Sequence, residues 1–311
     1  MEWSDRIGRR IRLRDLHILL AVTQAGSISK AAEQLAISQP VVSKVIADLE
    51  HALGVRLLDR DRHGATPTIY GTALLKRGTA AFDELRQGVK DIEFLTDPTA
   101  GELRIGGTEG LLAGLVPTIV NRLRRRHARL KFRVTQAPTI AAFYRDLRDR
   151  NVDLIIGRIL SPIADQDLSV DILFDEPLLV VAGSRSRWLR RRRIELADLI
   201  DDPWLLPPVG SVGAAIIQET FYACGLDFPQ AHIVCDSFQM YAVLQATEPY
   251  LAMRPGSMMR FGVKHPSVKI LPVKLPPLPR PVGIISLKNR TISPVAKLFI
   301  DCAREVGKSF G

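Results

Sequence analysis

The recurrence of apolar positions divides this chain into two unlike parts. Up to about residue 95 the spacing is that of helices, interrupted by one short hairpin; from Glu102 onward short apolar strands alternate with helices. In RLRDLHILLAVTQA, residues 12–25, Leu13, Leu16, Leu19, Leu20 and Thr23 share a broad face, and Gly26 ends the predicted helix. Residues 27–53, SISKAAEQLAISQPVVSKVIADLEHAL, read as two short helices and a tight turn. The first sets Ala31, Ala32 and Leu35 on one face, and Ala36 and Ile37 make the connection. Ser38 stands at the N-cap of the second, with Pro40 in the first turn, where a missing N–H costs nothing. Val42, Val45, Ile46, Leu49 and Leu53 form one apolar stripe, and Gln39, Ser43, Lys44 and Asp48 lie off it. Any amphipathic helix pair has a polar face, so the pattern alone is a modest pointer. Small residues where the helices approach, with Gln, Ser and Lys near an exposed helix start, fit a DNA major groove: Gln pairs with adenine, Lys with guanine or phosphate, and Ser with either.

After Gly54, the segment VRLLDRDRHGATPTIYG has short apolar pieces around a charged tip, Asp59 to Ala65, with Thr66 to Ile69 returning as a strand. That is the shape of a wing. Arg60, Arg62 and His63 at its tip are placed to reach DNA backbone or minor groove, although Arg60 has the alternative of pairing with a carboxylate of its own domain. Residues 71–95 predict one long helix in which Leu75, Gly78, Phe82, Leu85, Val89 and Ile92 follow a 3-4-3-4 spacing. A helix of that length outruns a small winged domain, so self-association is the natural cover for its stripe. Asp97-Pro98-Thr99-Ala100-Gly101 breaks the helix and marks a hinge. Beyond it the order is strand, helix over Leu111 to Arg124, strand, helix over Thr139 to Arg150, strand, which implies a parallel sheet covered by helices. A second set follows from EPLLVVAG to VKILPV; prolines 272, 276, 277, 279 and 281 mark a crossing segment, and VGIISLK with a helix from Ser293 to Lys308 closes the chain.

Composition narrows this only a little. The 311 residues, 46% apolar and 24% charged, suit a soluble protein of two or three domains. The net charge of +10 favours polyanionic partners, yet residues 1–95 hold 14 Lys and Arg against 12 Asp and Glu, so only +2 of it lies there. Two basic runs lie downstream, RLRRRHARLKFR (122–133) and RSRWLRRRRIEL (185–196), and read as solvated faces or contacts to a partner subunit rather than a second DNA site. An N-terminal cluster, Arg6, Arg9, Arg10, Arg12 and Arg14, reads equally as phosphate contacts or a solvated tail. Cys224, Cys235 and Cys302 are odd in number and far apart, the thiols of a reducing compartment. No leader of signal-peptide form and no run of 18 apolar residues occurs, so a cytoplasmic location without membrane contact is expected.

Enzyme chemistry finds little footing. GGTEG follows a strand and opens a helix but is not G-x-G-x-x-G, no phosphate-binding G-x-x-x-x-G-K-[ST] occurs, and the six histidines form no H-E-x-x-H. Gly210-Ser211-Val212-Gly213 lacks the earlier glycine of a nucleophile elbow. No catalytic residue, metal site or cofactor is expected. An α/β enzyme acting on a small polar metabolite stays as the alternative, and a transport-type solute-binding protein would leave the first 95 residues idle.

SISKAAEQLAISQPVVSKVIADLEHALGVRLLDR followed by TPTIYG closely resembles the N-terminal winged helix-turn-helix of LysR-type transcriptional regulators, with Ala-Ala, Ser-Gln-Pro, Val-Ser-Lys, Leu-Glu, Leu-Gly and the wing at the family's spacings. The TPTIYG and GVKDIEFL segments are similar to a subgroup that includes a regulator of a sugar-binding-protein operon. The resemblance covers the whole chain. It implies a multidomain protein: an all-α winged helix-turn-helix (1–70), a long linker helix for dimerisation with its hinge (71–98), and an α/β two-lobed effector domain like a periplasmic binding protein (99–311). Lobe I would span about 99–173 and 277–311, lobe II about 174–276. Base or phosphate contacts are implied for Ser38, Gln39, Pro40, Ser43 and Lys44, although the family more often has Arg where Lys44 stands and Arg where His63 stands. The effector cleft is implied at Thr108, Glu109, Pro138, Thr139, Gly210, Ser211, Ser237 and Phe238, of which Thr139 and Ser237 would serve as N-caps in any case. Glu109 beside such a site favours a neutral ligand or polyol over a carboxylate. The implied partners are a double-stranded interrupted palindrome, a sugar or small organic acid, further copies of the chain as a dimer or tetramer, and RNA polymerase.

Overall fold

The structure, a computed structural model, describes residues 10–61, 64–136, 139–159, 163 and 165–310. The chain divides into two units, Met1–Val89 and Lys90–Gly311.

In the first unit, α1 (Leu13–Ala25), α2 (Ile28–Gln34) and α3 (Gln39–Leu53) precede a hairpin of β1 (Leu58–Asp61) and β2 (Gly64–Pro67) and the start of α4 (Ile69–Thr96). Local chemistry sets each boundary. Gly26 turns left-handed at φ 70° to end α1, and the Ser27 side chain accepts the Lys30 amide to start α2. Ala36, at φ 53°, makes the turn between α2 and α3. Leu19, Val22, Ala31, Val42, Ile46, Leu49 and Leu57 are buried together, and each large side chain among them contributes on the order of 1.5–3 kcal/mol by leaving water. The Glu50 carboxylate accepts the Leu57 and Leu58 amides at 2.8 and 3.2 Å, tying α3 to the wing. At Gly64 a Cβ would lie 2.3 Å from the Gly26 carbonyl oxygen, so only glycine admits this approach of wing to α1.

The returning strand ends at Pro67 rather than Ile69, and α4 begins two residues earlier than its apolar spacing suggests. Thr68 is the reason: its hydroxyl oxygen accepts the Gly71 amide and closes the first turn. The stripe on α4 also divides. Leu75, Gly78 and Phe82 lie half-buried or buried beside α1, with Gly78 against Leu16 and Phe82 5.9 Å from His17, whereas Leu85, Val89 and Ile92 are exposed.

Among the described residues the second unit holds two five-stranded sheets. The first has the order β4-β3-β5-β12-β6, from β3 (Ala100–Gly107), β4 (Arg129–Gln136), β5 (Leu154–Arg158), β6 (Leu168–Asp175) and β12 (Pro281–Leu287). It is packed by α5 (Glu109–Ala113), α6 (Leu115–Arg126), α7 (Ile140–Arg148) and α11 (Pro294–Gly307). The second has the order β11-β7-β10-β8-β9, from β7 (Leu178–Gly183), β8 (Trp204–Leu206), β9 (Ala231–Val234), β10 (Leu251–Pro255) and β11 (Val268–Ile270), with α8 (Val212–Ala223), α9 (Phe238–Thr247) and α10 (Gly256–Phe261).

One expectation is qualified and another corrected. The strands read in βαβα order do pair parallel, β3 with β4 and β5, but each sheet as a whole is mixed: β12 runs antiparallel to β5 and β6, and β7 antiparallel to β10 and β11. The chain leaves the first lobe after β6, a strand its sequence left unmarked, and re-enters at β12 at the same end of the sheet, Pro281 lying opposite Asp175. The two crossings lie side by side, with the Glu176 amide donating to the Arg280 carbonyl at 3.0 Å. The helix expected over Leu111 to Arg124 is two helices broken at Gly114, where a Cβ would stand 2.8 Å from the Met258 backbone of α10. Close packing of a distant segment, which periodicity cannot report, sets that break.

Candidate functional site

Two regions gather the residues singled out by the sequence. At the first, α3 buries Val42, Ile46 and Leu49 and turns its other face outward. Ser38, Gln39, Pro40 and Lys44 are exposed and Ser43 is half-buried. The Ser38 hydroxyl caps nothing, in contrast to Ser27, so it is free to meet a ligand. The Ser29 hydroxyl donates to Gln39 Oε1 at 3.3 Å, which orients the Gln39 amide nitrogen away from α2. Five polar or compact groups thus project from the first turns of one helix, the geometry that enters a major groove. Arg60 lies on the wing with a guanidinium nitrogen 3.9 Å from Glu50, so the intramolecular alternative is realised at long range while the side chain stays 41% exposed. Arg62, His63, Arg6 and Arg9 lie outside the described residues.

At the second, a cavity of about 120 Å³ opens between the two lobes of the second unit. Thr108, Glu109, Ser211 and Phe238 line it, each at the junction between a strand and the helix that follows it. Three expected residues are elsewhere. Thr139 is exposed and caps α7 by accepting the Ala142 amide, and Ser237 caps α9 by accepting the Met240 amide; neither side chain lines the cavity. Gly210, at φ 85°, is exposed on the turn before α8. Pro138 lies outside the described residues.

Glu109 is the polar centre of this cleft. One carboxylate oxygen accepts the Phe238 amide at 3.0 Å, joining the start of α5 in one lobe to the start of α9 in the other; its second oxygen is buried without a partner. Burial pushes its pKa up, and Asp236 pushes it the same way, against the opposing pull of the Phe238 N–H and Arg254. Arg254, almost fully buried on β10, lies over the Phe238 ring at 5.9 Å and donates to Gln245 at 2.8 Å; burial lowers its pKa to about 10. Arg158, at the end of β5, also lines the cavity, but Glu176 neutralises it through a bond from Nε at 2.8 Å and a second from Nη2. The other Glu176 oxygen accepts the Ser257 amide at 2.9 Å. Leu111, Leu178, Ile216 and Met253 supply the apolar part of the wall.

Sequence reading missed Arg158, Asp236, Tyr241 and Arg254. A trace of them was available, since a charged residue inside an apolar strand, as in LAMRP and LIIGR, calls for a buried partner. Tyr241 showed no such mark; its hydroxyl donates to the Cys235 carbonyl at 2.6 Å and fixes the β9–α9 loop.

A winged helical unit with an exposed polar helix start, followed by a two-lobed domain with a central cleft, has the layout of a ligand-sensing regulator. The comparisons agree in both parts: residues 13–72 match the bacterial regulatory helix-turn-helix protein, lysR family, and residues 96–308 match the LysR substrate binding domain. The chain belongs to the LysR family of DNA-binding transcriptional regulators. It is similar to the uncharacterized HTH-type transcriptional regulator YdcI of Escherichia coli (strain K12), with 26% identity covering 98% of this chain and 99% of that protein. It is also similar to the HTH-type transcriptional regulator GbpR of Azospirillum brasilense, with 27% identity covering 95% and 86%. A solved structure of a full-length OxyR variant from Pseudomonas aeruginosa shares the fold, with a TM-score of 0.68 and 20% identity over 94% of this chain and 95% of that one.

Proposed function

We propose that the chain reads an interrupted palindromic operator through Ser38, Gln39, Pro40, Ser43 and Lys44, and that a small effector in the cleft around Glu109 controls that reading. The observation that carries the first half is the exposure of Ser38, Gln39, Pro40 and Lys44, with half-buried Ser43 among them, at the start of a helix whose other face buries Val42, Ile46 and Leu49. The exposed Leu85, Val89 and Ile92 support self-association along α4, as a dimer and then a tetramer, since three large apolar residues in helical register are costly to leave in water. RNA polymerase is the further partner such a regulator requires, in the cytoplasm where the promoter is.

The effector is a sugar or a small organic acid. The two carboxylates on the wall, Glu109 and Asp236, and the neutralised Arg158 favour the neutral polyol. Identity at 26–27% to two regulators does not rank one subgroup above another, so membership of the sugar-operon subgroup rests on the wing and linker segments alone. A gel-shift series on the region upstream of the chain's own gene tests the regulator half, with retardation expected at low salt; absence of any shift would sink it. A thermal-shift screen across sugars and organic acids tests the effector half, with stabilisation by a polyol expected and abolished when Ser211 is replaced by Trp to fill the cavity.

A further inference from the structure

The two basic runs sit on different supports in the fold. In the first, residues 122–133, Arg129 pairs with Asp97 and Arg133 with Glu102, while Arg122, Arg124, Arg125 and Arg126 lie exposed along the end of α6. In the second, residues 185–193 carry six arginines and no lysine, and all six are exposed. Arg187 pairs with Asp202 at 3.3 Å and Arg193 with Glu195 at 3.0 Å. Arg185, Arg190, Arg191 and Arg192 have no ion-pair partner among the described residues.

This stretch is also held in one shape. A 3-10 turn, Arg187–Arg190, starts at Ser186, whose side chain accepts the Trp188 amide, and ends with the Arg191 amide on the Trp188 carbonyl. The Trp188 indole donates to Asp202 at 3.0 Å, and buried Ile194 pairs in a bridge with Val273. Four like charges fixed so close together repel, and the fold anchors the backbone without neutralising them. A solvated tail needs no such anchoring.

We propose that this loop of the second lobe binds the phosphate backbone of duplex DNA outside the segment read by α3. The proposal rests on the chain being a DNA-binding regulator. Guanidinium groups form paired hydrogen bonds with phosphate oxygens, which ammonium groups do not, and the run is arginine throughout. Duplex DNA presents a charge about every 1.7 Å along its axis, so a short arginine loop meets several phosphates at once. The charge distribution agrees: residues 1–95 carry only +2 of the net +10, so most of the polyanion-attracting charge sits beyond the winged domain. An acidic protein would also attract the loop, but DNA is the polyanion this regulator already holds.

The test compares the full-length wild type with the triple variant Arg190→Gln, Arg191→Gln, Arg192→Gln on two operator fragments. One ends at the footprint edges, and the other extends two helical turns beyond each edge. Affinity is followed by anisotropy through a salt series, and sedimentation and a melting curve establish that assembly and folding are unchanged. The wild type should show the steeper salt dependence on the long fragment. The variant should lose that increment, its log–log slope falling by about 2 to 3 on the long fragment with the short one unaffected. Equal losses on both fragments, or no loss on either, would overturn the proposal. So would an altered oligomeric state, which assigns the loop to a subunit contact. Reduced transcription in vitro at unchanged DNA affinity would assign it instead to an acidic protein partner. Binding of the short fragment by both proteins checks the regulator reading separately.

Discussion

The winged domain and the cleft solve opposite assembly problems. Every group proposed to read DNA on α3 lies within residues 38–44, on the first two turns of one helix. The cleft draws Glu109, Arg158, Ser211, Asp236 and Phe238 from four separate strand ends, and its central hydrogen bond joins residues 129 apart. A contiguous site tolerates loss of one member, because the helix beneath is held by its own buried stripe. A site built from distant loops depends on the buried groups that hold the lobes in register.

The largest expected effect follows from that dependence. Arg158→Ala should leave Glu176 as an unpaired buried charge between the lobes and destabilise the second unit by roughly 3–5 kcal/mol, read as a lower denaturation midpoint. A loss under 1 kcal/mol would show that the cleft does not rely on this pair. Lys44→Ala should leave folding intact, since Lys44 is exposed, and weaken operator binding by about 1–3 kcal/mol if it reads a base. An equal drop on operator and random DNA, with a shallower salt slope, would make it a phosphate contact instead.

A smaller effect separates capping from ligand contact. Ser237→Ala removes the cap of α9 and should cost about 1 kcal/mol of stability with effector affinity little changed. A large affinity loss at unchanged stability would return Ser237 to the binding site. The smallest effect is one of pH. Because Glu109 titrates above the ordinary carboxylate range when folded, its contribution to stability is complete below that range and is lost as pH rises through the raised value. Asp153 has the opposite sign: burial alone would raise its pKa, but the Arg104 hydrogen bonds, Arg290 and Lys90 together lower it, so its contribution is lost only as pH falls through the depressed value. Melting curves of Glu109→Gln against wild type should therefore diverge above the ordinary carboxylate range and not below it. Parallel curves would remove Glu109 from the account.

What the sequence determined by itself was local. Apolar stripes and helix boundaries depend on neighbours a few residues away, so Gly26 as the end of α1, Ser38 as the N-cap position of α3 and the stripe of Val42, Ile46 and Leu49 were legible before any fold was known, although the Ser38 side chain caps nothing and Ser27 does. The family resemblance then carried the two-lobed plan. Tertiary structure alone decided which loops meet. It brought Glu109 to Phe238, took Thr139 and Ser237 for caps, hid Arg158 behind Glu176, and broke a helix at Gly114 because α10 lies against it. It also set two arginine runs that read alike on different supports, one along the end of α6 and one on an anchored 3-10 loop. The physical reason is one of range: periodicity and capping act over a turn of helix, whereas burial, ion pairing and close backbone approach act between residues the chain has brought together from afar.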